Sequence, residues 1–184
     1  MNYQIRPEIK IGLLSDMISD IILLGNVLVL TSKSLNKAHR IQETFATESC
    51  QVVTDVEPDL PFSYIKNLYG SIKTFPDVII AIGGGSVMDL GKALSVAKDF
   101  SVLEDLFKKK SIHYEKHAQL FTAPTTFGTG AETSFGSILY DDLNGIKDGL
   151  RSKVIQSNTV LIDPQLYLSA PPKLMAESGF DCLT

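Results

Sequence analysis

The stretch Asp77-Val-Ile-Ile-Ala-Ile-Gly-Gly-Gly-Ser-Val-Met-Asp-Leu-Gly-Lys92 constrains the fold more than any other part of the chain. Val78, Ile79, Ile80 and Ile82 form a short, β-branched, nearly continuous apolar run, as in a strand buried on both faces. Gly83, Gly84 and Gly85 follow, and Val87, Leu90, Leu94 and Ala97 then recur on one helical face. Strand, glycine turn and helix in succession present bare backbone N–H groups at a helix N-terminus, which suits a phosphate. Ser86 is placed either to cap that helix or to bond a phosphate oxygen.

The rest of the chain repeats the alternation. Residues 3–11 suit an edge strand, because Pro7 has no N–H for a central ladder. Leu14, Met17, Ile18 and Ile21 predict a helix over 13–24, ended by Gly25 and Asn26. Val27–Leu30 reads as a buried strand, Thr31–Ser34 as a polar turn, and Leu35, Ala38, Ile41 and Phe45 as one face of a second helix. Cys50–Val53 is a strand, and a helix bearing Ile65, Leu68, Tyr69 and Ile72 starts after Pro61. A charged segment with Lys108, Lys109 and Lys110 precedes the strand Leu120–Ala123. Residues 135–140 and 152–156 are predicted extended, with Asp141–Gly149 as a hairpin loop. Thr159–Ile162 is a last strand, Asp163-Pro164 stops it, and Pro171-Pro172 opens a helix that runs to the end. Strands alternating with helices predict a doubly wound, Rossmann-like α/β fold, a parallel sheet with helices on both faces, plus the hairpin.

Bulk properties exclude several classes. A net charge of −4 gives no support to a nucleic-acid surface. No apolar run approaches the ~18 residues of a membrane helix, and the N-terminus lacks a secretion signal. Cys50 and Cys182 lie far apart in no metal-like spacing, which suits reduced thiols in a cytoplasmic protein.

The glycine turn fails two nucleotide signatures. A P-loop requires glycine five residues before Gly91, where Ser86 stands, and a hydroxyl where Ala93 stands. Gly-x-Gly-x-x-Gly fails at Met88. A second loop, Ala123-Pro-Thr-Thr-Phe-Gly-Thr-Gly-Ala-Glu132, also leaves a strand and carries hydroxyls at Thr125, Thr126 and Thr129. In an open α/β sheet two such loops converge on the crevice at the carboxyl ends of the strands.

At this point the chain resembles the iron-containing (group III) alcohol dehydrogenases, of the superfamily that includes glycerol dehydrogenases and dehydroquinate synthases. Gly83-Gly-Gly-Ser-Val-Met-Asp89-Leu-Gly-Lys92 is similar to the family's GGGSxxDxxK. Pro124-Thr-Thr-Phe-Gly-Thr-Gly-Ala-Glu132 is similar to PTTxGTGSE, with Ala131 for the usual serine. Asp163-Pro, Pro171-Pro-Lys and Ser178-Gly-Phe-Asp181-Cys-Leu-Thr184 are similar to DP…PP…TGxDALT. Near the first helix the usual Gly-x-Gly is reduced to Gly12.

The resemblance implies a cofactor-binding domain over 1–170 and, over 171–184, the first helix of a helical metal-binding domain that is otherwise missing. It implies that Gly84, Gly85 and Ser86 hold a pyrophosphate and that Thr125, Thr126 and Thr129 line the nucleotide crevice. Ser134 takes a position where the family often has Thr, and Lys153 matches a lysine that reaches toward the ribose. Asp89 and Lys92 match positions beside the cofactor and are the catalytic candidates, although Asp89 also suits a first helical turn. Ser32 stands where NAD-preferring members carry an Asp, so Ser32 and Lys33 favour NADP over NAD. Asp181 matches one ligand of the family's Fe²⁺ or Zn²⁺, whose first histidine belongs at position 185. His39 reads as a helix-surface residue, and His113-Tyr-Glu-Lys-His117 as a solvated connection rather than a metal site.

The expected activity of the whole protein is hydride transfer between NAD(P)H and a small alcohol or aldehyde. The 184 residues alone are expected to bind cofactor with little or no activity. The alternatives are a stand-alone nucleotide-binding module and a dehydroquinate synthase-like lyase. Residues 1–11 are the candidate edge for a homodimer.

Overall fold

The computed structural model describes residues 7–110 and 113–183. In chain order it begins with β1 (Glu8–Ile11), α1 (Leu14–Ile22), β2 (Val27–Leu30), α2 (Lys33–His39), α3 (Ile41–Thr44) and β3 (Cys50–Val53). Next come α4 (Phe62–Ser71), β4 (Val78–Gly83), α5 (Gly85–Val96), α6 (Phe100–Phe107) and β5 (Gln119–Pro124). A hairpin of β6 (Gly136–Asp141) and β7 (Ile146–Arg151) precedes β8 (Thr159–Ile162) and α7 (Pro172–Asp181).

Six strands form a parallel sheet in the order β1-β8-β5-β4-β2-β3. The doubly wound expectation holds. The chain moves outward from β2 to β3, then crosses back to β4 on the other side of β2. The switch point therefore lies between the carboxyl ends of β2 and β4, where such sheets bind ligands.

Strand alternation divides the core in two. Leu28, Leu30, Ile79, Ala81 and Leu120 face α4, α5 and α6. Val27, Val29, Val78, Ile80 and Ile82 face α1 and α3. Every residue of β4 is buried, as its β-branched run requires. At Gly91 of α5 a β-carbon would sit 3.0 Å from both Ala81 Cβ and Leu120 Cδ1, so helix and sheet are closer than a side chain allows.

Three expectations change. The single helix through Leu35 to Phe45 is two, because Arg40 sits at φ 52 and ends α2. Residues 152–156 are not a strand: the hairpin's second strand is β7, its loop is shorter than Asp141–Gly149, and Lys153–Ile155 form a 3₁₀ turn capped by Ser152. The charged segment after Lys98 holds α6, capped by the Asp99 carboxylate accepting from Val102 N–H at 3.0 Å. Within the 3–11 edge strand, residues 3–6 lie outside the described residues, and β1 is the sheet edge beside β8.

Gly83 closes β4 with no space for a side chain, since a β-carbon there would lie 2.5 Å from Val87 Cγ2. Gly83→Ala should lower stability by about 1–3 kcal/mol through overpacking. Urea unfolding checks this: the midpoint falls while m is unchanged. An unchanged midpoint would show that the turn has room.

Candidate functional site: the cleft between the glycine turn and the hairpin

The glycine turn leaves α5 uncapped. Gly84 is its N-cap residue and no side chain bonds the first turn, so Ser86 does not serve as the cap. The first intrahelical bond is Met88 N–H to Gly84 O at 3.2 Å, which leaves the N–H groups of Gly85, Ser86 and Val87 without helical acceptors. Beside this turn lies the loop after β5. Thr125 N–H donates to Gly83 O at 3.2 Å, fixing one loop to the other. A β-carbon on Gly84 would sit 3.3 Å from Thr126 Oγ1, and one on Gly85 3.9 Å from Thr129 Cγ2. The Thr126 hydroxyl is buried with no hydrogen-bond partner among the described residues. Free helix-terminal donors, a close approach of Thr126 to Gly84, and an orphaned hydroxyl fit a phosphate-bearing cofactor.

A cavity of ≈ 540 Å³ opens beside the turn. Gly85, Ser86, Asp89, Thr129 and Ser134 line it together with the outer face of the hairpin. Five of the expected residues therefore share one wall system. Gly84, Thr125 and Thr126 border the turn itself. Ser32, Lys33 and Lys153 lie outside the cavity. Ser32 caps α2, its hydroxyl accepting from Leu35 N–H at 3.4 Å, with exposed Lys33 next to it. Lys153 is exposed on the 3₁₀ turn.

Asp89 and Lys92 take different positions. Lys92 is completely buried, and its ammonium donates to Asp89 Oδ1 (3.1 Å), Ser134 Oγ (2.9 Å) and Gly136 O (2.7 Å). All three donors are engaged, so Lys92 does not reach the cavity. It holds Asp89, whose second oxygen accepts from Ile138 N–H at 2.9 Å. Ser137 Oγ also donates to Asp89 O at 2.8 Å. Burial pushes the Asp89 carboxyl up, against the pull of Lys92 and the Ile138 N–H. Burial pushes the Lys92 ammonium down, against the pull of Asp89. The pair ties α5 to the hairpin and leaves Asp89 as the fixed carboxylate on the cavity wall.

Asp181 reaches the same region from α7. Gly128, at φ 87, lies against it, and a β-carbon there would meet Ser178 O at 2.8 Å. The threonine loop is thus packed under α7, and Phe127 stacks on Tyr167 at 4.4 Å between centroids. Among the described residues no group of three or more His, Cys, Asp or Glu could hold a metal ion. His39 bonds Ser169 Oγ at 2.7 Å, and His117 packs edge-on to Phe75. Asp181 alone therefore does not make a metal site in this chain.

Sequence reasoning missed the hairpin's contribution. Phe135, Gly136, Ile138, Lys147 and Arg151 line the cavity. β7 carries little apolar alternation, and the strand was placed after it. Lys116 was missed as well. Its ammonium donates to Gln156 O at 2.8 Å, and Gln156 Nε2 donates to Thr133 O at 2.6 Å, next to Ser134.

The family model for iron-containing alcohol dehydrogenases matches residues 9–164. The chain belongs to this family. An alcohol dehydrogenase of Thermococcus barophilus is 30% identical over 172 residues, which covers 86% of this chain and 45% of that protein. The crystal structure of sulfoacetaldehyde reductase from Bifidobacterium kashiwanohense in complex with NAD⁺ is 26% identical with a TM-score of 0.81, covering 98% of this chain and 50% of that one. An iron-containing alcohol dehydrogenase of Thermococcus thioreducens superposes with a TM-score of 0.82 at 25% identity, covering 95% of this chain and 50% of that one. The chain thus spans about half the length of the relatives it matches.

Lys92→Met should cost about 3–5 kcal/mol, because it leaves the Asp89 carboxylate buried without its counter-charge. Adding Asp89→Asn should recover part of the loss in urea unfolding, and no recovery would mean that the pair's charge is not the cause. A second expectation concerns pH. Burial and the Lys92 charge lower the Lys116 ammonium from 10.5 to about 8. Between those values the unfolded chain binds more protons, so stability rises with pH across about 8 to 10.5. Lys116→Met should flatten that rise, whereas identical pH slopes in parent and variant would place Lys116 in water.

Proposed function

We propose that this chain is the cofactor-binding part of a metal-dependent dehydrogenase. The whole protein moves a hydride between NAD(P)H and a small alcohol or aldehyde. The observation that carries this reading is the uncapped N-terminus of α5 at the sheet's switch point, faced by the orphaned Thr126 hydroxyl. The nicotinamide cofactor supplies or accepts the hydride when bound. Gly84, Gly85 and Ser86 hold its pyrophosphate on backbone donors and a hydroxyl, while Thr125, Thr126 and Thr129 form the opposing wall. Lys153 reaches toward its sugar, and Ser134 lines the cofactor site. Asp89 is the carboxylate beside it, and Lys92 positions that carboxylate. Asp181 is one ligand of an iron or zinc ion whose other ligands lie outside this chain. The chain alone binds cofactor and turns over little or no substrate.

We infer NADP as the preferred cofactor. The end of β2 carries Ser32, Lys33 and Ser34 with no carboxylate, and the Ser32 and Ser34 hydroxyls lie 3.1 Å apart. Two hydroxyls beside an ammonium suit a 2′-phosphate. The outer edge of β1, with exposed Ile9 and Ile11, is the proposed homodimer contact. The free Cys50 and Cys182 support a cytoplasmic location, and no helix among the described residues is long and apolar enough to cross a membrane.

Titrating the chain with NADPH and NADH, followed by cofactor fluorescence, tests both parts. NADPH should bind more tightly, and Ser32→Ala and Lys33→Ala should each weaken it about tenfold, the scale of one charge-assisted bond. Tighter NADH binding, unchanged in both variants, would refute the NADP preference. No binding of either cofactor would refute the cofactor site.

A further inference from the structure

The threonine loop has two sides, and consecutive residues serve them. On the side of the glycine turn, Thr125 N–H donates to Gly83 O at 3.2 Å, and Thr126 Oγ1 is buried without a partner among the described residues. On the other side Phe127 lies on Tyr167, with ring centroids 4.4 Å apart and planes 8° from parallel. Tyr167 closes a 3₁₀ turn, Pro164–Tyr167, that is fixed to the sheet. Leu166 of this turn is buried in the core. The Asp163 carboxylate before it accepts from Gln165 N–H and from Leu14 N–H, both at 2.8 Å. The next loop residue, Gly128, presents bare backbone to α7 at φ 87, where a β-carbon would lie 2.8 Å from Ser178 O and 3.0 Å from the Asp181 carbonyl carbon. Ser178 is the one buried residue of α7, and Leu174, Met175 and Phe180 of the same helix are exposed. α7 is therefore seated on the rest of the chain at Gly128, and Gly128 is held by Phe127.

We propose that Phe127 is a positioning residue. Stacked on Tyr167, it pre-forms the threonine loop for the cofactor on one side and for α7, with Asp181, on the other. The inference rests on the cofactor reading above and adds how that site is held ready. Phe127 is 39% exposed and belongs to neither half of the core, so packing of the sheet does not require it there. The loop after it carries two glycines at positive φ, Gly128 and Gly130, and such a segment has many conformations open to it when nothing anchors it. Only the fraction in the competent form binds ligand, which weakens the apparent affinity by that fraction. A stacked aromatic pair stabilises its geometry beyond the area it buries and removes this cost. Thr126, Phe127 and Gly128 are consecutive, so the backbone cannot shift on one side and stay in place on the other. Whatever binds one side favours the loop form that the other side needs, and the effect is reciprocal.

Two measurements on the full chain test this. NADPH and NADH are titrated with cofactor fluorescence as the signal, and hydrogen exchange of the α7 amides is followed by mass spectrometry with and without saturating cofactor. Phe127→Ala should weaken cofactor binding about fivefold and speed α7 exchange by a similar factor. Saturating cofactor should then return α7 to the parent rate, a repair that a merely structural loss would not show. Tyr167→Ala should reproduce both effects from the other ring, and the double variant should be no worse than either single one. Phe127→Tyr keeps the stack and should match the parent in both measurements. Weaker cofactor binding with α7 exchange unchanged makes Phe127 a direct cofactor contact and overturns the inference. Faster α7 exchange with cofactor binding unchanged confines Phe127 to α7 and overturns it as well. Both of those results leave the cofactor reading standing. A parent chain that binds neither NADPH nor NADH refutes that reading, and this inference with it.

Discussion

A buried ammonium can persist only if every one of its protons is bonded, and Lys92 meets that condition in one way. Its three partners come from α5, from the end of the threonine loop at Ser134, and from the first residue of the hairpin, Gly136. Moving any of the three leaves charge or a donor stranded in the interior. The clamp therefore fixes the hairpin over α5, and the cavity is the space between them. Asp89 is fixed by the same bonds, with its remaining oxygen tied to the hairpin backbone at Ile138. A carboxylate on a cavity wall with both oxygens engaged keeps a fixed position without being rigidified by a ligand.

The second constraint is closeness of backbone. Gly91 lets α5 settle on Ala81 and Leu120, and Gly83 lets β4 turn directly into that helix. Together they bring the first turn of α5 to the rim of the sheet at the switch point. The donors of Gly85, Ser86 and Val87 then need an acceptor from outside the helix. A protein with no ligand here would gain a few tenths of a kcal/mol from an N-capping side chain at Gly84. Gly84 instead leaves room for Thr126, whose hydroxyl is itself unpaired among the described residues. Two sets of unsatisfied groups facing each other across a glycine are more consistent with a ligand site than with a tight turn alone.

The parts of this architecture that were legible in the sequence are those whose signals are local. The β-branched run of β4, the glycine turn and the apolar face of α5 each announce themselves within a few residues, and so did the parallel sheet. The break at Arg40 was not legible, because the periodicity of Leu35, Ala38, Ile41 and Phe45 continues through it. Only the left-handed backbone at Arg40 ends α2 there. The hairpin was found but its second strand was placed too late. Ile146–Arg151 has only Leu150 fully buried, in the core beside α6, while Lys147 and Arg151 face the cavity. A strand with so little apolar pattern carries a weak signal. Arg151 was missed for the same reason. The division of labour between Asp89 and Lys92 was also out of reach, because i and i+3 spacing says that they are neighbours but not which one is buried.

Cofactor binding and catalysis place different demands on a chain of this length. Backbone donors, threonine hydroxyls and a clamped carboxylate are all supplied by segments between Gly83 and Arg151, so the cradle is assembled within one folded unit. A divalent ion needs several donors converging on one point. Asp181, the proposed metal ligand, lies on α7, packed on the threonine loop at Gly128. That contact matters beyond the metal. Whatever fixes α7 also fixes the loop that carries Thr125, Thr126 and Thr129, so the cradle's second wall is coupled to the segment that would complete the reaction centre. In this geometry the first wall of the site belongs to the sheet and to α5, and the second is shared with α7.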